Sequence, residues 1–243
     1  MGADSERGVR EALLRELGWE PVREVPAPLE EAVETAERAA LAHHRDVARR
    51  PATLDRWVEA WREVLGSPAF AAAPLAFRLD ALNRAAIAAR YRYERLGDPA
   101  DFEAARDHWR HALADSPPGW THRTRYLHNL GSIYAGRYRK EGLAEDGAEA
   151  VALLSEAVEA PEAEARLQGL YHRTLSLALQ SHYDRTGDIS WLEKAIAHGE
   201  RALEHGGHSR ALHGILRDQL GTAYRRRYLR TREPMDLHRA SSL

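Results

Sequence analysis

The chain has 243 residues, of which 44% are hydrophobic and 7% aromatic, and its formal charge is −2 from 35 basic and 37 acidic residues. This near balance of charge argues against bulk electrostatic attraction to nucleic acid or an anionic membrane, so such a contact would have to be local. The chain contains no cysteine, which excludes a disulfide framework and a thiolate metal site.

Residues 1–34 are predicted to lie outside the main architecture. The stretch SERGVREALLRELG has the pattern of one amphipathic helix, and WEPVREVPAPLEE is predicted to be an extended, proline-punctuated connection. Neither has the apolar core of a signal peptide, and no later run approaches the roughly 18 apolar residues of a membrane-spanning helix. We therefore expect a soluble, cytoplasmic protein whose first 34 residues cap the N-terminal end of the remaining chain.

From residue 35 onwards the sequence repeats at intervals of 45 residues. Tyrosines recur at that spacing, and so do glycines, except that an arginine stands at the fourth glycine position. The two columns are Tyr93, Tyr138, Tyr183 and Tyr228, and Gly97, Gly142, Gly187 and Arg232. This register predicts repeated structural units, which we place at 35–79 (degenerate), 80–124, 125–169, 170–214 and 215–243 (partial).

Each unit is predicted to be a pair of helices. Upstream of the tyrosine, stretches such as LGSIYAGRY (130–138) and LGTAYRRRY (220–228) have apolar residues at helical spacing. Downstream of the glycine, small residues recur on either side of a larger one, as in Ala105, Trp109 and Ala112. Because small side chains let two helices approach closely, we expect the helices to cross at these positions.

The stretch HYDRTGDIS (182–190) indicates how the two helices are joined. Gly187 suits the left-handed C-terminal cap of the first helix, and Asp188 suits the N-cap of the second. Proline in the corresponding first turn, at Pro99 and Pro234, has no amide N–H to leave unpaired. A basic residue two positions before the cap is favoured by the helix macrodipole. That column is Arg95, Lys140, Arg185 and Arg230.

The pattern resembles the tetratricopeptide repeat. The motif positions are Leu130, Gly131, Tyr134, Ala150, Leu154 and Ala157, with Leu220, Gly221 and Tyr224 as a less complete copy. These units are longer than the ordinary repeat of about 34 residues. Roughly seven of the extra residues follow the tyrosine, and since they make about two helical turns, the helices can lengthen without changing their buried face. The resemblance implies an all-α fold, a right-handed superhelix (α-solenoid) of helix-turn-helix repeats.

Long units with RTGD between their helices resemble the tetratricopeptide-like arrays of high-GC actinobacteria, which are often joined to CHAT protease domains or signalling NTPases. The sequence has no phosphate-cradling glycine loop, no nucleophile elbow and no cysteine nucleophile. The resemblance therefore implies a non-catalytic scaffold or sensor array, without a cofactor, that binds a protein or peptide. Its partner would be another protein or a further domain of a longer parent chain, and it would regulate a fused or neighbouring effector.

The resemblance also implies where the partner binds. In such arrays the first helices line a concave groove, and the inward positions lie around the Leu-Gly leucine. Their amides can hydrogen-bond a peptide backbone, and their guanidinium groups can hold carboxylates. The inward positions include Thr174 and Thr222. The implied groove residues are Asn83, Arg84, Arg90, His128, Asn129, Ser132, Arg173, Gln180, Asp218, Gln219 and Arg225.

A different class of function is a small enzyme or metal-binding protein whose site is built from histidines between the helices. His108 and His111 lie three residues apart on one helix face, and His205 and His208 lie close together near the end of another. Nitrogen ligands of this kind can bind zinc, although neither cluster has a third ligand at a compelling spacing. We therefore expect no metal site, with these four histidines as the weak candidates.

A third possibility is an anionic partner, including RNA, bound by the C-terminal segment. Arginine alternates with tyrosine in YRRRYLRTR (224–232), a pattern that could stack on single-stranded RNA. The repeat register already explains the tyrosines, so nucleic acid is the less favoured partner.

Overall fold

The computed structural model describes residues 8, 12–13, 21–22, 24–46, 50–160, 165–205 and 210–243. Every regular element within these ranges is helical, which confirms the predicted all-α class. The predicted N-terminal capping helix lies almost entirely outside the described residues. None of the described helices combines the length and the apolar character that crossing a bilayer requires.

A 3-10 turn (Ala27–Leu29) leads into eleven described helices that pack as adjacent pairs along the chain. The first five are α1 (Glu30–Arg45), α2 (Pro51–Gly66), the short α3 (Pro68–Ala71), α4 (Leu75–Leu96) and α5 (Pro99–Asp115). The other six are α6 (Arg123–Glu141), α7 (Ala144–Glu159), α8 (Ala165–Thr186), α9 (Ile189–Glu204), α10 (Arg210–Thr231) and α11 (Pro234–Ser242).

The chain divides into two compact units, Met1–Ser116 and Pro117–Leu243. In the first unit, α1 packs on α2, α2 on α4, and α4 on α5. In the second, each helix from α6 to α11 packs on the next, and α6 also contacts α8. We call α4, α6, α8 and α10, which end just before Gly97, Gly142, Gly187 and Arg232, the first helices. The helices that follow them, α5, α7, α9 and α11, are the second helices.

The predicted turns between first and second helices are confirmed by the backbone. Gly97, Gly142 and Gly187 have φ of +76°, +81° and +68°, the left-handed conformation that glycine adopts without steric cost. Each glycine N–H donates to the carbonyl of the repeat tyrosine four residues earlier, at 2.8 Å. The constant spacing of tyrosine and glycine is therefore the spacing of this capping bond. Arg232 forms the same bond to Tyr228 with φ of +60°, although it has a side chain.

The predicted N-caps of the second helices are also present in two of the turns. The Asp98 carboxylate accepts from the Ala100 N–H at 2.9 Å, and the Asp188 carboxylate accepts from the Ser190 N–H at 3.0 Å. Pro99 and Pro234 occupy the first turns of α5 and α11. These caps satisfy amide groups that a helix start would otherwise leave unpaired, and they fix where each second helix begins.

The predicted crossing positions lie in the core. Ala105 and Ala112 of α5, and their counterparts in α7 and α9, are fully or almost fully buried. At Gly131 in α6, a Cβ atom would lie 2.8 Å from Leu154 Cγ of α7, so a larger residue would push these helices apart. The largest buried side chains, Trp57, Trp61 and Trp109 among them, fill the remaining space. The small residues therefore set the close contact, and the large ones pack around it.

Helix ends and repeat boundaries do not coincide. Helix α1 begins at Glu30, ahead of the boundary that the sequence placed at 34/35. The boundaries at 79/80, 124/125, 169/170 and 214/215 fall inside α4, α6, α8 and α10. A repeat fixes the period of 45 residues but not the point at which one unit is separated from the next, and the chosen boundaries fall near the N-terminal ends of the first helices.

Candidate functional site

Two hydrogen bonds connect the implied groove positions of consecutive first helices in the second unit. His128 Nε2 of α6 lies 3.0 Å from Thr174 Oγ1 of α8. Arg173 Nε of α8 donates to Gln219 Oε1 of α10 at 3.1 Å. The implied positions on α6, α8 and α10 therefore lie side by side. We call this surface the first-helix face, and it comprises His128, Asn129, Ser132, Arg173, Thr174, Gln180, Asp218, Gln219, Thr222 and Arg225.

The Thr174 hydroxyl determines which group donates in its hydrogen bond with His128. The Thr174 Oγ1–H already donates to the Leu170 carbonyl at 2.9 Å, so this oxygen can only accept from the imidazole. His128 therefore carries a proton on Nε2. Its ring is buried, with 8% of the residue exposed, and lies 4.8 Å from the ring of Tyr171. His128 thus acts mainly in packing α6 against α8, below the part of the face that solvent reaches.

Arg173 is the most distinctive cation on the first-helix face. It is half-buried, and its Nε is held by the neutral amide of Gln219. In the described part of the chain it forms no ion pair with a carboxylate. A guanidinium that is oriented but not neutralised can still donate from its other nitrogens to a carboxylate.

The other side chains of this face differ in how far they are engaged. Ser132 donates to the His128 carbonyl at 2.6 Å, so its hydroxyl turns back to its own helix. Arg225 Nη2 donates to Thr222 Oγ1 at 3.1 Å, and both residues are exposed. Asp218 is exposed, and Gln180 is half-buried with a long 3.5 Å contact to Ser176. Gln180, Asp218 and Arg225 therefore remain accessible to a partner.

The three implied groove residues of the first unit have other roles. Asn83 Oδ1 accepts from Trp109 Nε1 at 3.0 Å, which connects α4 to α5. Arg84 is buried and pairs with Asp80 at 3.0 Å. Arg90 pairs with Glu94 at 3.5 Å and covers the ring of Tyr91 at 5.2 Å. These side chains contribute to packing and to local ion pairs, so the candidate site is confined to the second unit.

The histidine candidates from the sequence do not form a metal centre in the described ranges, where no three histidine or acidic residues are placed to hold an ion. His111 Nε2 lies 3.5 Å from a carboxylate oxygen of Asp115 on its own helix. His108 is half-buried, and burial lowers its pKa. His208 lies outside the described residues.

A different group of histidines comes together where α8 packs on α9. His172 Nδ1 and His198 Nδ1 are 2.9 Å apart, and the ring of His205 stacks on that of His172 at 5.9 Å. This group was not predicted from the sequence. The seven-residue spacing of His198 and His205 was a visible signal, because it puts both on one helix face. Their meeting with His172 depends on the rotation of α8, which the sequence does not show.

Burial and nearby charges keep the imidazoles of His172 and His198 neutral. Burial is the largest cause that lowers the pKa of His172, and the nearby His198, Arg201 and His205 add to it, so that the pKa falls to about 4. Burial and Arg201 also lower the pKa of His198, while Glu159 opposes them. At neutral pH each ring has one N–H and one lone pair, and one Nδ1–H donates to the other Nδ1.

The C-terminal arginine cluster is partly neutralised by the protein itself. Arg227 donates to the buried Asp236 through two nitrogens, at 2.9 and 2.5 Å. Arg226 pairs with Asp184 at 2.8 Å and lies over the ring of Tyr183. Tyr224 is buried, so it offers no ring for a nucleic-acid base to stack on. Ion pairs and packing thus engage Arg226, Arg227 and Tyr224, which the sequence suggested as part of a basic, aromatic surface.

Comparison of the chain with protein families, with curated proteins and with solved structures finds no match. The tetratricopeptide resemblance accordingly depends on the motif positions in the sequence.

Proposed function

We propose that the chain is a non-catalytic interaction module, a tetratricopeptide-like array that binds an extended peptide or protein segment on the first-helix face. The proposal includes a scaffold or sensor role toward a fused or neighbouring effector, and a cytoplasmic location on the grounds of composition. The observation that carries it is the pair of hydrogen bonds, His128 to Thr174 and Arg173 to Gln219, between implied groove positions of consecutive repeats.

The spacing of the helices suits an extended peptide. Packed helices lie about 8–10 Å apart, and an extended chain advances about 3.3 Å per residue. Since side-chain hydrogen bonds join α6 to α8 and α8 to α10, a peptide that crosses these helices would meet a new helix every few residues. Amide side chains such as Gln180 can pair with its backbone, and Arg173 can hold an acidic side chain. Selectivity would come from these few preformed contacts.

The proposal is tested by selecting peptides from a random displayed library on the whole chain and measuring their binding by fluorescence anisotropy. We expect the double variant Arg173→Ala/Gln180→Ala to weaken selected peptides by about tenfold or more, the loss of about two hydrogen bonds. Lys194→Ala, which removes an exposed cation from the second helix α9, is the matched control and should bind as the wild type does. His128→Ala is unsuitable because this buried ring also supports the fold.

Two outcomes would contradict the proposal. One is that no peptide is enriched over an unrelated helical protein. The other is that the selected peptides bind the double variant as tightly as the wild type.

A further inference from the structure

In the second unit, each new first helix covers the helix pair that precedes it. His182 of α8 packs on α7, where a Cβ atom on Gly147 would lie 2.8 Å from the ring carbon Cε1 of the histidine. One repeat later, Leu192 of α9 is fully buried in a cluster with Leu220 and Tyr224 of α10. The column of Gly147 and Leu192 is thus a place where a second helix contacts the next first helix.

Two further columns, at the end of each first helix, contact the next first helix. The guanidinium of Arg185 on α8 lies over the ring of Tyr138 on α6, at 5.0 Å. On α8, Tyr183 and Asp184 both contact Arg226 of α10, the ring at 6.0 Å and the carboxylate at 2.8 Å. The incoming first helix therefore brings a cation to this corner of the preceding pair.

On α10 and α11 the same three columns form an exposed surface. They continue, one repeat later, as Tyr228, Leu229 and Leu237. Leu229 is 62% exposed, Leu237 is 48% exposed and Tyr228 is half-buried. Leu229 stands in the column of Asp184, so a leucine replaces the acid that pairs with an incoming arginine. We call Tyr228, Leu229 and Leu237 the α10–α11 patch, an apolar surface that a partner could cover.

The cations beside this patch come from the chain itself. The Arg232 guanidinium lies over the Tyr228 ring at 5.9 Å, where the earlier repeats have an arginine of the next helix. Arg230 is also exposed, and among the described residues neither guanidinium is paired with a carboxylate. Glu233, the acid in the same turn, is outnumbered by these two cations. A basic helix would therefore meet like charge here, whereas an acidic one would meet arginines that are not neutralised.

We infer that the α10–α11 patch docks an acidic amphipathic helix of another protein. The apolar stripe of that helix would cover the two leucines, and glutamate or aspartate along its edge would meet Arg230 and Arg232. The occupant is a helix because first helices cover these columns in both preceding repeats. This site is separate from the first-helix face, which is proposed to bind an extended peptide.

A second copy of this chain fits the patch poorly. Each of α4, α6, α8 and α10 contains more basic than acidic residues, so a first helix of a second copy would bring cations to a surface that already carries them. The contact between Asp184 and Arg226 also has no counterpart where Leu229 replaces the acid. Charge therefore selects a helix of the opposite sign.

The test uses two synthetic helical peptides with the same leucine stripe at positions i, i+3, i+4 and i+7, one flanked by glutamate and the other by lysine. Binding of each labelled peptide to the whole chain is measured by fluorescence anisotropy. We expect the glutamate peptide to bind at one site, and the lysine peptide not to bind in the same concentration range. The affinity of the glutamate peptide should fall as the salt concentration rises.

Leu237→Ser should weaken the glutamate peptide by about tenfold or more, because the leucine side chain is no longer there to be buried. The matched control is Met235→Ser, which changes another exposed apolar residue of α11 and should bind as the wild type does. Two residues turn a helix by about 200°, so Met235 lies on the opposite side. Arg230→Gln/Arg232→Gly should weaken binding by about threefold or more. Glycine at 232 suits the left-handed backbone and keeps the amide that donates to the Tyr228 carbonyl.

Equal binding of the glutamate peptide by Leu237→Ser and Met235→Ser would overturn the inference, as would equal binding of the glutamate and lysine peptides. Arg173→Ala/Gln180→Ala should bind the glutamate peptide as the wild type does, and a loss there would place this peptide on the first-helix face instead. Two other occupants would also overturn it. A dimer in sedimentation velocity that Leu237→Ser converts to a monomer would assign the patch to a second copy. Binding to phosphatidylserine vesicles that Leu237→Ser abolishes, without peptide binding, would assign it to a membrane.

Discussion

Arg137 and Asp146 form an ion pair across the turn between α6 and α7, with Nε and Nη2 of the arginine 2.5 and 2.6 Å from the carboxylate oxygens. Asp146 is 3% exposed. The pair joins the end of a first helix to the first turn of its second helix, where a carboxylate also satisfies the helix dipole. The same pair recurs one repeat earlier and two repeats later, as Arg92 with Asp101 and Arg227 with Asp236.

Removal of Asp146 should destabilise the second unit. Asp146→Ala removes the Asp146 carboxylate from the Arg137 guanidinium, and since that guanidinium is 20% exposed, water can partly replace this carboxylate. We expect a loss of about 2–3 kcal/mol in the free energy of unfolding, measured by urea denaturation. The control is Glu145→Ala, an exposed acid in the same first turn, which should change stability by less than about 0.5 kcal/mol. Equal effects of the two substitutions would contradict this role of the pair.

In the sequence repeat at 170–214, two aromatic rings stand in place of the ion pair. His182 and Trp191 occupy the arginine and aspartate columns, and their rings stack with centroids 4.6 Å apart. We expect His182→Arg and Trp191→Asp each to be strongly destabilising, because each creates a charge without its partner. The double variant restores the pair found in the other turns, so the two effects should be coupled favourably by at least about 1 kcal/mol. A double-mutant cycle in urea measures this coupling, and strictly additive effects would show that the columns do not act as pairs.

These columns show what the sequence could and could not predict. The left-handed caps at Gly142 and Gly187 were predictable because a helix end depends on a few adjacent residues. The Arg137 and Asp146 columns repeat as regularly as the tyrosines, so comparing every column would have found them. The contact between His172 and His198 was not predictable in the same way. It depends on how far each helix is rotated and shifted against its neighbour, which many distant side chains determine together.

Arg185 has a larger role than the sequence assigned to it. It was predicted to stabilise the end of its own helix, but its Nη2 donates to the carbonyls of Tyr138 and Arg139 at 2.8 and 3.0 Å. These are last-turn carbonyls of α6, one repeat earlier, so the guanidinium also caps a neighbouring helix. A Cβ atom on Gly142 would lie 2.9 Å from Arg185 Cζ. Gly142 is therefore required both for its left-handed backbone and for the space that it leaves.

Two glycine substitutions separate these requirements. Gly187 has the same left-handed backbone, but a Cβ atom added there would meet no side chain within 4 Å, so Gly187→Ala should cost about 1–2 kcal/mol of backbone strain. Gly142→Ala should cost more, because it also displaces Arg185. In an Arg185→Ala background the two substitutions should become equal. Urea denaturation of the five variants measures this, and an equal cost in the wild-type background would mean that Arg185 makes no contribution here.

The stability of the second unit should fall as the pH is lowered from about 6.5 to about 4. In the folded chain the pKa of His172 is about 4, against an ordinary value of 6.5, because the ring is buried beside His198, His205 and Arg201. Between these values the unfolded chain binds a proton at this residue that the folded chain does not, so the free energy of unfolding decreases as the pH falls. Groups elsewhere in the chain that titrate in the same range contribute equally to a variant and to the wild type. The difference between His172→Gln and the wild type therefore isolates the histidine.

Relative to the wild type, His172→Gln should become progressively more stable as the pH is lowered through this window, as measured by urea denaturation at several pH values. His111→Gln, which removes an exposed imidazole, is the control and should follow the wild-type pH profile. If the stability difference between His172→Gln and the wild type does not change with pH, the proposed cost of protonating His172 in the folded chain is wrong.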